Sequence, residues 1–163
     1  MDIIEGYAYI LGDDISTDDI IPSHTLTIRD ENIMVKHTLE FIDPYFSKQV
    51  DKGNIIIAGE NFGTGSSREE AVYVFKILGI KAIIAKSFAR IYFRNLINNG
   101  IPAITLEWES KHFAKEDNIE ISLEKGVLIN KSKNLTINFK KIPIFLTGIL
   151  ENGGIINQLK NRL

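Results

Sequence analysis

The sequence contains no cysteine among its 163 residues. This absence excludes disulfide bonds, and it excludes a thiolate zinc site or an iron-sulfur cluster held by this chain alone. Histidine is scarce as well: His24, His37 and His112 are far apart in the sequence and lack the spacing of a metal-binding pair such as H-E-x-x-H. We therefore expect no metal ligands in this chain and interpret each histidine as an ordinary surface or partly buried residue.

Long apolar runs and clusters of basic charge are also missing. The longest apolar runs, such as IIIAG and AIIA, are too short to cross a bilayer, so we expect no membrane association. The first residues, MDIIEGYAYI, show neither a basic region nor a cleavage site of a signal peptide, which favours a cytoplasmic protein. The 19 basic residues are scattered against 21 acidic ones, and this argues against nucleic-acid binding, which needs clustered positive charge.

The residues that are present indicate one globular domain over 1–163, because 44% are apolar and 25% are charged. Continuous apolar runs at 54–59, 80–87 and 101–106 are typical of buried strands. Helical periodicity fills both intervals between them, and Gly79 and Gly100 are placed to end the two helices. This βαβαβ order predicts an α/β fold with a parallel core and right-handed crossovers.

The flanking segments have different patterns. A strand is predicted at the start, and the polar segment 13–32 after it is expected to be a long functional loop. A short helix is predicted at 33–41. Beyond the core, NIEISL, GVLIN and LTINF alternate in polarity and predict a β meander, followed by short helices at 143–150 and 155–159.

The segment GENFGTGSSREEA, residues 59–71, joins a predicted strand to a predicted helix. A phosphate-binding loop is the first hypothesis, since backbone N–H groups at a helix N-terminus attract anions. The nucleotide-binding patterns do not fit, however. Gly65 stands where a Walker A motif has lysine, Arg68 stands where a dinucleotide motif has its third glycine, and Lys86 replaces the acidic residue expected after the next strand.

A carboxylate fits the same segment better. Arg68 can form a planar bidentate pair with a carboxylate, and the N–H groups of Ser66 and Ser67 can add donors. Gly63 and Gly65 permit positive φ and close approach of a ligand to the backbone. A purely structural alternative is that one of the serines caps the helix, with Glu69 or Glu70 completing a capping box.

Three motifs in order, GDDISTDDIIP, GENFGTGSSREEA and AIIAKSFARIYFRN, resemble the swivelling domain of the aconitase superfamily. The resemblance is to the free-standing small subunits of the 3-isopropylmalate dehydratase and homoaconitase type. It spans residues 10–104 and continues more loosely to the C-terminus. It implies a β/β/α swivelling-domain fold with the parallel βαβαβ core and an added C-terminal meander.

The same resemblance implies a two-subunit hydro-lyase that moves a hydroxyl between adjacent carbons of a hydroxy dicarboxylic acid. In that family, a large subunit carries a 4Fe-4S cluster on three cysteines, and its iron acts as Lewis acid on the departing hydroxyl. A cysteine-free chain agrees with this division of labour, so we expect no cofactor on this chain, a cysteine-bearing partner, and no activity for either subunit alone.

Residue roles follow from the resemblance by position. Ser66 matches the serine that acts as base on the carbon next to a carboxylate, Ser67 matches a residue that hydrogen-bonds substrate, and Arg68 matches the arginine that pairs with its carboxylate. Asp18 matches an acidic residue near the partner's histidines. The family commonly has cysteine where this chain has Thr64, which is not among the residues carried over as catalytic.

The loop after Pro22 is where relatives recognise the variable side group of the substrate. Here it carries Thr25 and Thr27, a small neutral pair that favours an apolar isopropyl group over a third carboxylate. Arg29, however, could supply the cation that a tricarboxylate needs. Isopropylmalate is therefore favoured, with homoaconitate-type and methylated-malate substrates as alternatives. A non-enzymatic domain binding a carboxylate or phosphate, and a structural subunit without a catalytic role, also remain open.

Overall fold

A seven-stranded mixed sheet with the order β4-β3-β2-β1-β5-β6-β7 forms the centre of the fold. The computed structural model describes residues 3–51 and 54–163. The strands are β1 (Ile3–Ile10), β2 (Ile55–Ala58), β3 (Ala82–Ala85), β4 (Ala103–Thr105), β5 (Asn118–Ser122), β6 (Val127–Asn130) and β7 (Leu135–Asn138). None of the helices in these two ranges combines the length and apolar composition that crossing a bilayer requires.

Strands β1 to β4 are parallel, as the βαβαβ order predicts. Ile57 of β2 pairs with Ile10 of β1 on one side and with Ile84 of β3 on the other. Every residue of β2 and β3 is buried, as the continuous apolar runs of these two strands predict. The strands are shorter than the apolar runs that predicted them. The residues at the ends of each run belong to the loops at the edge of the sheet.

The two crossovers are α4 (Glu70–Ile77) and α5 (Arg90–Asn98). Both end as predicted at glycines in the left-handed region, Gly79 with φ 75° and Gly100 with φ 80°.

The antiparallel half begins at β1, which pairs with β5 on its other edge. Strands β5, β6 and β7 then form the predicted meander, and buried residues alternate with more exposed ones along β5 and β6. Helices α6 (Ile144–Glu151) and α7 (Ile155–Arg162) follow, again as predicted.

The segment between β1 and β2 contains short helices rather than one open loop. They are α1 (Thr17–Ile20), α2 (Glu31–Met34) and α3 (Phe46–Gln49), with 3₁₀ turns at Ser23–Thr25 and Val35–His37. The helix predicted over 33–41 is present only in its first part, since α2 and the 3₁₀ turn that follows it end at His37. Leu39 adopts φ 56°, its side chain is fully buried, and its N–H donates to the Ile20 carbonyl at 2.9 Å, so the chain turns back toward α1.

Aromatic side chains connect this core to residues 59–71, which we call the glycine loop. Phe62 lies inside the segment and is fully buried. Its ring contacts those of Phe75 on α4, Phe88 after β3 and Tyr92 on α5, with centroid separations of 6.4, 6.1 and 5.7 Å. The packing of these rings therefore fixes the glycine loop on the core and restricts where its polar residues can lie.

Candidate functional site

Three loops meet at the carboxyl edge of the parallel strands. They follow β1, β2 and β3 and comprise residues 11–16, 59–69 and 86–89. The Gly63 N–H donates to the Ile15 carbonyl at 2.7 Å, the Thr17 N–H to the Thr64 carbonyl at 2.7 Å, and the Phe62 N–H to the Ser87 carbonyl at 3.0 Å. Ligand sites of open α/β sheets form at this edge, where loops from neighbouring strands converge.

The start of the glycine loop is held by Gly12, Asp13 and Asp14, which follow β1. The Gly59 N–H donates to the Gly12 carbonyl at 3.0 Å, and the Glu60 N–H donates to a carboxylate oxygen of Asp13 at 2.8 Å. Asp14 accepts a hydrogen bond from the Asn61 side chain at 2.9 Å. The roles of Asp13 and Asp14 are not predictable from sequence patterns, because their hydrogen bonds join segments more than forty positions apart.

The glycine conformations match the expectation for this loop. Gly63 and Gly65 adopt φ 87° and 100°, a region that disfavours residues with a Cβ atom. A Cβ atom on Gly63 would also overlap the ring of Tyr92. That ring is fixed, because the Tyr92 hydroxyl donates to the Ala71 carbonyl at 2.6 Å, and burial raises the pKa of Tyr92 well above its ordinary value and keeps the hydroxyl protonated.

Thr17 is the residue that fixes the backbone at Ser66. Its side chain is buried, and its hydroxyl donates to the Ser66 carbonyl at 2.7 Å. Together with the bond from its own N–H to Thr64, this contact attaches the loop to α1 at two points two residues apart. Thr17 is not among the residues predicted for the site, although its position in the STDD stretch of the first motif is a signal.

Ser66, Arg68 and Asp18 lie together in the structure. The Arg68 Nε–H donates to the Ser66 hydroxyl at 3.2 Å, and its Nη1 donates to an Asp18 carboxylate oxygen at 2.8 Å and to the Ile21 carbonyl at 3.0 Å. The Arg68 side chain is only 18% exposed, whereas that of Asp18 is 65% exposed. A largely buried guanidinium therefore lies beside an exposed serine hydroxyl.

The serines do not cap a helix, so the capping alternative is wrong. Helix α4 begins only at Glu70, its N-cap is Glu69, and no side chain caps it. Residues 66–69 are not helical, so α4 does not begin at the serines. The first turn of α5, whose N–H groups lack partners within the helix, borders the site instead.

A cleft of about 330 Å³ opens over these groups. It contains Ser66, Ser67 and Arg68 on one side and the start of α5 on the other, and its lining residues are Thr17, Gly63, Gly65, Ser66, Ser67, Arg68, Ala89, Arg90, Ile91, Tyr92 and Asn95. Both serines are exposed. The cleft can accept a small anion, with cationic side chains at Arg68 and Arg90.

The three residues predicted to select the substrate differ in their exposure to solvent. Thr25 is fully buried, and its hydroxyl donates to the Pro22 carbonyl at 2.6 Å, so in this structure it supports its own turn and presents no hydroxyl to the cleft. Thr27 and Arg29 are exposed. None of the three lines the cleft over Ser66 in the described part of the chain.

A mixed sheet with a Gly-Ser-Ser-Arg loop at its carboxyl edge defines a swivelling domain of the aconitase type. Residues 15–109 match the family described as the aconitase C-terminal domain. The chain belongs to this family, as the resemblance of its motifs implied.

Full-length relatives place the chain within one branch of the family. It is 46% identical to the 3-isopropylmalate dehydratase small subunit 1 of Thermotoga maritima, over 97% of this chain and 95% of that protein. It is 41% identical to the corresponding small subunit 1 of Methanopyrus kandleri, over 98% of this chain and 94% of that protein. The crystal structure of 3-isopropylmalate dehydratase from Methanocaldococcus jannaschii has a TM-score of 0.91 and 44% identity, covering 98% of this chain and 95% of that chain.

The close fit between Gly63 and Tyr92 predicts that Gly63→Ala destabilises the protein. The positive φ alone costs roughly 1–2 kcal/mol for a residue with a Cβ atom, and the overlap with the ring adds to it. Gly12→Ala is the matched control, because a Cβ atom there meets nothing within 4 Å. Urea unfolding of the two variants and the wild type measures the difference. Equal unfolding free energies for both variants would contradict the fit described here.

Proposed function

We propose that this chain is the small subunit of 3-isopropylmalate dehydratase, a hydro-lyase of leucine biosynthesis. The reaction interconverts 2-isopropylmalate and 3-isopropylmalate by dehydration and rehydration. Full-length similarity to small subunits of that name supports the assignment. The observation that carries it is the pairing of Ser66 with Arg68 in a loop that lines an open cleft. This combination favours an enzyme subunit over a non-enzymatic binding domain.

In the proposed mechanism, the ionised form of Ser66 removes the proton from the carbon next to a substrate carboxylate and becomes a neutral hydroxyl. A hydroxyl is a weak base in water, so its ionised form needs stabilisation by fixed donors. The Arg68 Nε–H at 3.2 Å supplies such a donor together with a full positive charge. Because Arg68 is largely buried, its charge is screened less than that of a surface arginine. Ser66 then returns the proton when the alkene intermediate is rehydrated.

Arg68 is also the proposed carboxylate ligand. In the free chain, its Nη1 already binds an anionic oxygen, that of Asp18. Asp18 is exposed, so a substrate carboxylate can displace it or share the guanidinium with it. The Ile21 carbonyl and the Ser66 hydroxyl hold the guanidinium in place during this exchange. The exposed Ser67 completes the set of polar groups at this end of the cleft.

A large subunit is required to complete this site. Ser66 and Ser67 are exposed, whereas stabilisation of an alkoxide needs a site from which water is excluded. The family's 4Fe-4S cluster supplies Lewis acidity to the departing hydroxyl. This chain has no cysteine and cannot hold that cluster, so we assign it to a cysteine-bearing partner. The small subunits among the relatives support a two-subunit enzyme by their name.

Isopropylmalate is the proposed substrate rather than a tricarboxylate. With Thr25 turned inward, Thr27 is the member of the threonine pair that remains exposed. Arg29 is exposed as well, but neither residue lines the described cleft, so the loop would act on substrate only when the partner closes over it.

Ser66→Ala tests the base. In the complex reconstituted with its large subunit, we expect assembly to persist and turnover of 3-isopropylmalate to fall at least about 100-fold, because a proton-transfer group is removed. Ser110→Ala, at an exposed serine of a 3₁₀ turn far along the chain, is the control and should retain activity. Steady-state kinetics and size-exclusion chromatography provide the two readouts. Near-normal turnover of the Ser66 variant would exclude the proposed role.

Arg68→Lys tests the carboxylate ligand. An ammonium group cannot donate to Ser66, Asp18 and Ile21 with the geometry of the planar guanidinium. Loss of a hydrogen bond to a charged group costs about 1.5–3 kcal/mol, so we expect kcat/KM to fall about 10- to 100-fold. Arg94→Lys, at an exposed position on α5, is the matched control. If both variants have the kinetic constants of the wild type, Arg68 is not the carboxylate ligand.

A further inference from the structure

Two of the three histidines lie side by side, although they are far apart in the sequence. The ring centroids of His24 and His37 are 5.6 Å apart. Both rings face Glu40: the distance from His24 Nε2 to Glu40 Oε1 is 3.1 Å, and that from His37 Nδ1 to Glu40 Oε2 is 2.7 Å. We call these three residues the histidine cluster. Its three potential ligand atoms all lie within 4.8 Å of one another.

The backbone holds the cluster from both sides. His24 lies in the 3₁₀ turn that Thr25 stabilises through its bond to Pro22. His37 and Glu40 flank the left-handed turn at Leu39, which places their side chains together. The Leu39 N–H donates to the Ile20 carbonyl just before the His24 turn, so the two segments cannot move apart independently. The ligand atoms are therefore preorganised by contacts that do not involve the cluster itself.

We propose that the histidine cluster binds a divalent transition-metal ion of the zinc class. Two imidazole nitrogens and one carboxylate oxygen form a set that zinc accepts, with a fourth position for water. Tetrahedral ligands at about 2.0 Å from zinc lie about 3.3 Å from one another, and the three candidate ligand atoms already lie within 4.8 Å of one another, so a short convergence of the side chains forms the site. Small rotamer adjustments of exposed or half-buried side chains suffice to admit the ion.

Exposure and protonation are compatible with metal entry. The His24 side chain is 54% exposed, so an ion reaches the cluster from solvent without unfolding of the loop. His37 and Glu40 are 31% and 23% exposed. Coordination requires neutral rings with the proton on the remaining nitrogen of each, and the Glu40 carboxylate supplies the negative charge that favours a cation.

The bound ion would link the Ser23–Thr25 turn to the segment after α2. This turn leads directly into Thr27 and Arg29, the exposed part of the loop discussed above. A metal at the cluster therefore rigidifies the base of that loop without contacting Ser66 or Arg68. The inference does not depend on the proposed enzymatic activity, since it concerns ion binding by the isolated chain.

Zinc binding by the full chain, purified without a histidine tag, tests the proposal. Competition with a chromogenic chelator at pH 7.5 should give one ion per chain for the wild type. His24→Ala and His37→Ala should each weaken binding at least about 10- to 100-fold, since they remove a direct ligand. His112→Ala is the matched control and should bind as the wild type does.

Cobalt substitution and a Glu40→Gln variant sharpen the test. A tetrahedral site predicts intense visible absorption from bound Co²⁺ in the wild type and its loss in the His24 variant. Glu40→Gln keeps a side chain that can hydrogen-bond both rings but removes the anionic ligand, so it too should weaken zinc binding. Absence of stoichiometric binding, or equal affinities for the wild type and the His24 and Glu40 variants, would show that the cluster is a hydrogen-bonded contact only and would overturn the proposal.

Discussion

The site depends on the hydrogen bonds that attach the glycine loop to the segment after β1. Gly63 and Thr64 bond to Ile15 and Thr17 through the backbone, and the Thr17 hydroxyl bonds to the Ser66 carbonyl. These contacts join the two motifs in space although the bonded residues are more than forty positions apart in the sequence. Without them, Ser66 would lie on a flexible glycine-rich turn, and its distance to Arg68 would not be fixed.

The proposed chemistry depends on the position of the Arg68 guanidinium. Arg68 contacts the hydroxyl of Ser66, the carboxylate of Asp18 and the backbone at Ile21, so it can stabilise an alkoxide and bind an anion from one position. The cleft above it is open, and both serines are exposed. The proposed chemistry needs a second surface to exclude water, and the name small subunit of the relatives implies a large-subunit partner.

Much of the fold was predictable because apolar continuity and glycine placement are local signals. The runs around β2 and β3, the stripe of α4 and the stops at Gly79 and Gly100 gave the parallel core correctly. The start of α4 was not predictable from the serines, since tertiary bonds from Thr17 and Arg68 hold residues 66–68 out of the helix. Likewise, no spacing rule indicates that Leu39 turns back to Ile20 and thereby brings His24 beside His37.

The most direct test of this account replaces the Thr17 hydroxyl and measures turnover in the reconstituted complex. Thr17→Val keeps the buried volume but deletes the bond to the Ser66 carbonyl, whereas Thr17→Ser keeps a hydroxyl in place. Because a displacement of about 1 Å can reduce the rate about 100-fold, we expect kcat to fall at least about tenfold for the valine variant and to be largely retained by the serine variant. An unchanged kcat for Thr17→Val would contradict the claim that this attachment positions the base.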